Sequence, residues 1–425
     1  MCLAPNCPAN YQKEEVHVTS VFRRGGALVI AAMVQALTVS IASADGPGWE
    51  TVATDFQGPL FGLNVGSGDN LLVAEGFTGP YKVDPDSGET ELIASIPGVS
   101  DVIQIGRREY LVSTGEGERG PDDGPCPAMA VCRIKNGEVT LLADILEWEV
   151  EHDFDGSGNA PGEDSISNPF DLAKLSRNKT LVSDAGGNSI HVVHNRTGKL
   201  DWVATLPYQD IETQPIKELA GCPAPGLEFI CELPAAFTID PVATTVDIGP
   251  DGAIYAGELS GFPAPQNKSR VWRIDANARE VQCGTDEDEC TQVDAGPFTS
   301  IIDINFGDDG TAYVLELDEA GWLLGEGPTA QGGTVNACRA DNGNGGGNND
   351  RRRGGRDDDD DDDGNGNGGA SWTCEAIATG LPFPLAVTSD DETVYVTLTL
   401  GPEGPVEVAK LTATGDGNGG DEDDD

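Results

Sequence analysis

Four carboxylates share one place in the short-range pattern of the chain. Glu75, Asp184, Glu258 and Glu316 each end a short apolar run, as in "LVSDAGGNSI" (181–190), just before a small, flexible turn. Oxygen donors repeated at one structural position and aimed at one point suit a hard cation such as calcium, or the metal and acid of a hydrolase. Asp303 stands thirteen residues before Glu316 and Asp171 thirteen before Asp184, which defines a second recurring position, held by Thr245 ahead of Glu258. The spacing leaves Asp171 open to a one-residue shift of register. The competing reading is structural: each acid accepts hydrogen bonds from the loop behind it and acts as a strut.

A second calcium candidate is "DFDGSGNAPGED" (153–164). Asp153, Asp155 and Ser157 take positions one, three and five, Gly158 takes six and Asp164 twelve, which approximates an EF-hand loop. "DILEWEVEH" ahead of it reads as an entering helix, whereas Pro161 and Pro169 oppose an exiting one. The plainer alternative is an acidic surface loop. A buried histidine base has little support: His17 precedes the export signal described below, His191 and His194 fall on an outer strand, and His152 lies in a loop. Hydrolysis would then rely on metal-bound water and an acid such as Glu258. "GGNS" and "GPDG" are turn glycines and not phosphate loops.

The acid-bearing segments belong to repeats. "GLNVGSGDNLLVAEGFTG", "VDIGPDGAIYAGELSGFP" and "INFGDDGTAYVLELDEAG" are each a strand, a Gly/Asp/Asn turn and a second strand, and weaker copies put Thr114 and Leu398 at the acid's position. Third and fourth strands such as "RVWRID" and "TELIASI" follow. Repeats of several tens of residues, each a four-stranded unit, are the mark of a propeller. The expected fold is therefore all-β, a six-bladed β-propeller spanning 45–411, with blades near 60–96, 99–145, 168–206, 242–296, 299–381 and 383–411. The last blade supplies three good strands. "WETVATDF" (49–56) is expected to be its fourth, closing the ring and removing a sheet edge.

"NPFDLAKL...TLVSDAGGNSI", "GPDGAIYAGELSGFP" and "IIDINFGDDGTAYVLEL" resemble the secreted ScyD/ScyE family associated with synthesis of the pigment scytonemin, over about 49–411. The resemblance implies an NHL-like propeller without a settled reaction. The cysteines, the Asp run and the acidic tail depart from that family's pattern.

Composition narrows the partners. With 73 acids against 25 bases the net charge is -48, which excludes phosphate backbones as ligands and favours cations or cationic surfaces. Arg23-Arg24, the apolar run 27–42 and the small residues before Asp45 read as a signal peptide within 1–44, and the residues ahead of it suggest a misplaced start codon. No later segment is apolar enough to span a membrane, so the mature chain is expected outside the cell or in the periplasm, as a monomer. There, Cys126 with Cys132, Cys222 with Cys231, Cys283 with Cys290, and Cys338 with Cys374 read as disulfides, zinc being the alternative.

The last two pairs bracket inserts at equivalent hairpin turns, one of them the Asp/Gly/Asn-rich segment 340–371 with seven consecutive Asp. With the acidic tail 412–425, these segments are expected to be disordered and to make one face a polyanion that meets matrix, mineral or a basic partner, a solubilising spacer being the alternative. The functional expectation is a non-catalytic, calcium-associated binding or scaffold protein with a cation or small molecule in its channel. The rival is a metal-dependent, lactonase-like hydrolase or pigment-pathway enzyme using the same acids.

Overall fold

The computed structural model describes residues 48–120, 124–156, 167–325, 329–341, 370–400 and 405–412. Ser157, Asp164, the Asp run and the acidic tail lie outside the described residues. The described chain forms six blade sheets in chain order, arranged as a β-propeller. Five are antiparallel and four-stranded, and that of blade three gains a fifth, parallel strand, Val281–Gln282, lent by the outer hairpin of blade four.

The innermost strands are Leu60–Val65, Val99–Gly106, Pro169–Ser176, Ala243–Ile248, Ile301–Phe306 and Val387–Asp390. Each returns through a short turn into a second strand that is buried on both faces, as Leu71–Glu75 and Ile254–Glu258 are along their full length. Sheets packed on two sides require continuous apolar runs instead of alternation, which is why the second strands read "LLVAE" and "IYAGE". Trp49–Ala53 pairs antiparallel with Val406–Leu411 and completes blade six, as expected. Its hold is reinforced by Trp49 Nε1, which donates to Glu407 Oε1 at 2.8 Å, and by Thr51 Oγ1, which donates to Glu407 Oε2 at 3.1 Å.

All four disulfides form as paired. Cys338 lies directly opposite Cys374 in the outer hairpin of blade five, so the bond holds the register where the long insert leaves the sheet. Replacing both by Ser is expected to cost about 3–4 kcal/mol, because the bond closes a loop of 36 residues in the unfolded chain. Denaturant midpoints of the oxidised protein and the double variant measure it.

Two additions decorate the rim on which the innermost strands begin. Between blades three and four, a small hairpin (Gln209–Glu212 with Ala236–Ile239) and two short helices (Gln214–Leu219 and Glu228–Cys231) pack Ile216 and Ile230 against Ala320 and Leu324 of blade five. Between blades two and three runs the helix Ile145–His152, the entering helix read from the sequence. Asp144 caps it by accepting the N–H of Glu147, and it ends at Asp153, whose φ of 49° is left-handed.

Candidate functional site

The innermost strands carry a β-bulge near their start, and the residue just after it faces the axis. In blades one to five that residue is Gly62, Asp101, Asp171, Thr245 and Asp303, each at the same register against its second strand. Asp171 is in register with the others, so no one-residue shift occurs. These residues stitch the ring from blade to blade. Asp101 Oδ2 accepts the N–H of Leu172, Asp171 Oδ2 that of Val246, Thr245 Oγ1 that of Ile304, and Asp303 Oδ2 that of Val387, at 2.8–3.1 Å. Thr245 Oγ1 also lies 3.0 Å from Asp171 Oδ2 and 3.1 Å from Asp303 Oδ1, its single proton shared between the two. Asn64 Nδ2 joins blade one by donating to Asp101 Oδ1 at 2.8 Å.

Gly62 is small because it must be. A Cβ there would lie 2.2 Å from Asp101 Oδ1 and 2.8 Å from backbone atoms of Ser100 and Asp101, so blade two could not approach. A second tier lies one turn of the pleat below, where Asp247 accepts the N–H of Phe306 and Asn305 that of Ser389.

The ring lines a cavity of about 180 Å³. Toward the starts of the strands its walls are apolar, with Phe61 and Phe170 edge to face at 6.2 Å beside Ile302. Toward the other face Lys174 joins the lining, and it also lines an outer hollow with Arg107 and Arg177. Burial raises Asp101 and Asp303 well above the ordinary carboxylate range, and the charge of Asp171 adds to both shifts. Burial also raises Asp171 itself and pushes Asp247 up to about 7. Such a ring invites positive charge or a shared proton.

The expected convergence of Glu75, Asp184, Glu258 and Glu316 on the channel is not what the structure shows. Each sits on the second strand, roughly 5 Å further from the axis than the first, and turns back onto its own loops. Glu75 accepts the N–H groups of Phe77 and Thr78, both at 3.0 Å. Glu258 is paired with Arg270 and accepts from Trp272 Nε1 at 3.2 Å. Glu316 accepts from the N–H of Thr299 and from Asn336 Nδ2 at 2.7 Å. These acids are struts, and of the six channel candidates only Asp171 and Asp303 reach the cavity. Asp101 was missed, although it stands thirteen residues before Thr114 in one of the weaker copies and the same offset points to it.

Asp184 is a strut with a second setting. It accepts from Ser167 Oγ (2.7 Å) and from the N–H groups of Asn168, Gly186 and Gly187. Glu149 of the helix Ile145–His152 lies beside it, and a ring nitrogen of His191 completes a buried trio whose ligand atoms all fall within 4.8 Å of one another. Glu149 forms a second such trio with Asp153 and Asp155. The described part of the EF-hand-like loop therefore gathers around a residue upstream of it, and Asp155 also accepts from Asn188 Nδ2 and Tyr208 OH. Burial, then the charges of Asp184 and Asp155, push Glu149 up to about 9. Burial holds His191 down at about 3, so its imidazole is neutral.

The face opposite the strand starts is polar in both senses. Asp390 is raised by burial and by Asp69, Asp391 and Asp308 around it, on the side of blades one, five and six. Arg107, Lys174 and Arg177 lie on the side of blades two and three. Among the described residues this face is thus acidic on one side and basic on the other, and the insert and tail expected to make it a polyanion lie outside those residues.

No protein-family model and no curated protein matches the chain. Solved structures that it resembles include virginiamycin B lyase from Staphylococcus aureus (12% identity over 86% of this chain and 99% of that one, TM-score 0.45). Others are the pyranose dehydrogenase PQQ domain from Coprinopsis cinerea (11%, 88% and 98%, TM-score 0.49) and the calcium-binding protein regucalcin from Agrobacterium tumefaciens (12%, 86% and 94%, TM-score 0.47).

Proposed function

We propose that this chain is an exported, non-catalytic, calcium-associated binding propeller, related to the secreted ScyD/ScyE proteins it resembles in sequence. Its channel would receive positive charge, either calcium or the ammonium group of a small ligand. The observation that carries this reading is the ring itself: Asp101, Asp171 and Asp303 crowd one buried cavity of about 180 Å³, with Thr245 between two of them. Oxygen-only donors of this kind are the calcium set. Lys174 at the far end of the cavity would suit the anionic end of a ligand whose cationic end lies in the ring. Four disulfides fit an oxidising compartment outside the cytoplasm. The Asp run and tail would meet matrix or another basic surface.

Calorimetric calcium titration tests it, with the wild type, Asp101→Asn combined with Asp303→Asn, and a chain in which 343–368 are replaced by a short glycine turn. Saturable binding weakened at least tenfold in the double variant is the expected result. Multivalent binding that disappears only with the Asp run would remove the channel from the function.

A hydrolase reading keeps one observation in its favour: Asp247, pushed up to about 7 inside the cavity, has the proton affinity of a general acid or base at neutral pH. Turnover of a lactone panel that Asp247→Asn abolishes would favour it. The carboxylates of Glu75, Glu258 and Glu316 are already engaged by neighbouring groups and give that reading no help.

A further inference from the structure

We propose that Glu149, Asp184 and His191 form a binding site for a divalent transition-metal ion, with zinc as the best match, separate from the channel. The three come from three elements: the helix between blades two and three, the end of the second strand of blade three, and its third strand (Ser189–His194). Their side chains are at most 2% exposed, and one potential ligand atom from each lies within 4.8 Å of the other two. Ligand atoms around a tetrahedral zinc stand about 3.3 Å apart, so side-chain adjustments of about 1 Å close the site.

Two observations point to a ligand beyond the acids themselves. His191 is fully buried, its Nε2 meets Ser189 Oγ at 2.7 Å, and its Nδ1 has no hydrogen-bond partner. A buried ring nitrogen left without a partner is costly unless something occupies it. The second is the backbone at Gly187: a Cβ there would lie 2.8 Å from Glu149 Oε2 and 3.2 Å from Asp184 Oδ2, so only glycine leaves the space between the two carboxylates open. All the groups that hydrogen-bond to Asp184 are neutral donors, which fix its direction without balancing its charge.

The donor set selects the metal. One imidazole with two carboxylates suits zinc or manganese, whereas calcium prefers six to eight oxygens. Asp153 and Asp155, which form a second trio with Glu149, add negative charge that draws a cation toward the cluster.

The test uses the full chain with 343–368 replaced by the glycine turn, so that the Asp run does not bind metal. Zinc and calcium are titrated by calorimetry, and the zinc K-edge spectrum is read for imidazole scattering. Expected are one saturable zinc site at least tenfold tighter than calcium, imidazole scattering, and weakening of at least tenfold in both Glu149→Gln and His191→Gln. Asp101→Asn with Asp303→Asn should leave zinc binding unchanged, which separates this site from the channel. Zinc binding untouched by Glu149→Gln, a zinc spectrum without imidazole, or calcium bound more tightly than zinc would each overturn the assignment. Should His191→Gln not fold, Glu149→Gln decides, since Gln keeps the shape and hydrogen-bonding reach of the acid.

Discussion

A chain that begins at Gly58, and so lacks the closing strand Trp49–Ala53, is expected to lose cooperative folding. What remains is expected to melt roughly 10 °C or more below the intact protein. The strand supplies every ladder bond on the outer edge of Val406–Leu411, from Trp49 opposite Leu411 to Ala53 opposite Val408. Ala53 is also part of the apolar cluster that joins blade six to blade one through Leu60, Leu63, Tyr395 and Val408. Without it the last blade has three strands and an open edge, and an open edge pairs with other chains. Scanning calorimetry and light scattering measure both effects, and a peptide of residues 48–57 added in trans should restore the melting temperature. An unchanged melt would mean that the propeller closes through its core alone.

That closure was legible because strand count and strand pattern are local properties. Three strands in the last blade and one unpartnered strand ahead of the first blade leave one way to complete a ring. The disulfides were legible for the same reason, since three pairs lie six to nine residues apart and the fourth, Cys338 with Cys374, joins cysteines consecutive in the sequence. The acids were only half legible. Sequence spacing placed Glu75, Asp184, Glu258 and Glu316 at one recurring position correctly, but spacing carries no information on which way a side chain turns at a strand end. Glu75 has free N–H groups two and three residues on, and it takes those before any point on the axis. Asp101 was obscured because its partner at the acid's position is Thr114, a weaker signal than an acid. The trio of Glu149, Asp184 and His191 could not be read at all. His191 looked like an outer-strand residue, which it is, and nothing local says that a helix from the preceding connection lays a carboxylate against it.

Under the proposed function, stability and binding would draw on the same residues of the ring. Asp101, Asp171, Thr245 and Asp303 each accept a backbone N–H from the next blade, so the ring proposed to receive a ligand also rivets the blades together. Substituting one of them for binding studies therefore requires an amide or hydroxyl that keeps the acceptor, as Asn does in place of Asp. An aliphatic replacement would leave a buried N–H of the neighbouring blade unsatisfied, at about 1–3 kcal/mol.

Glu316 gives the cleanest pH test, because it lies outside both the channel and the cluster on blade three. Burial raises its carboxyl to about 7, the charge of Glu319 adds to the shift, and the Thr299 N–H and Asn336 amide oppose it. The folded protein thus holds a proton at this site more tightly than the unfolded chain, whose glutamate titrates near 4.5. Its contribution to stability is fully present below pH 4.5 and is lost as the pH rises through about 7, a swing on the order of 3 kcal/mol. Glu316→Gln removes the titration while keeping an oxygen for the Thr299 N–H, and the Asn336 amide can turn its carbonyl toward the new amide. The variant should therefore be less pH-sensitive than the wild type, with equal or greater stability at pH 8 and no gain at pH 5. Urea midpoints at pH 5 and pH 8, in the presence of a chelator, read the difference directly. If both proteins respond to pH alike, Glu316 is ionised in the fold across this range, and the Thr299 and Asn336 hydrogen bonds outweigh the cost of burying its charge.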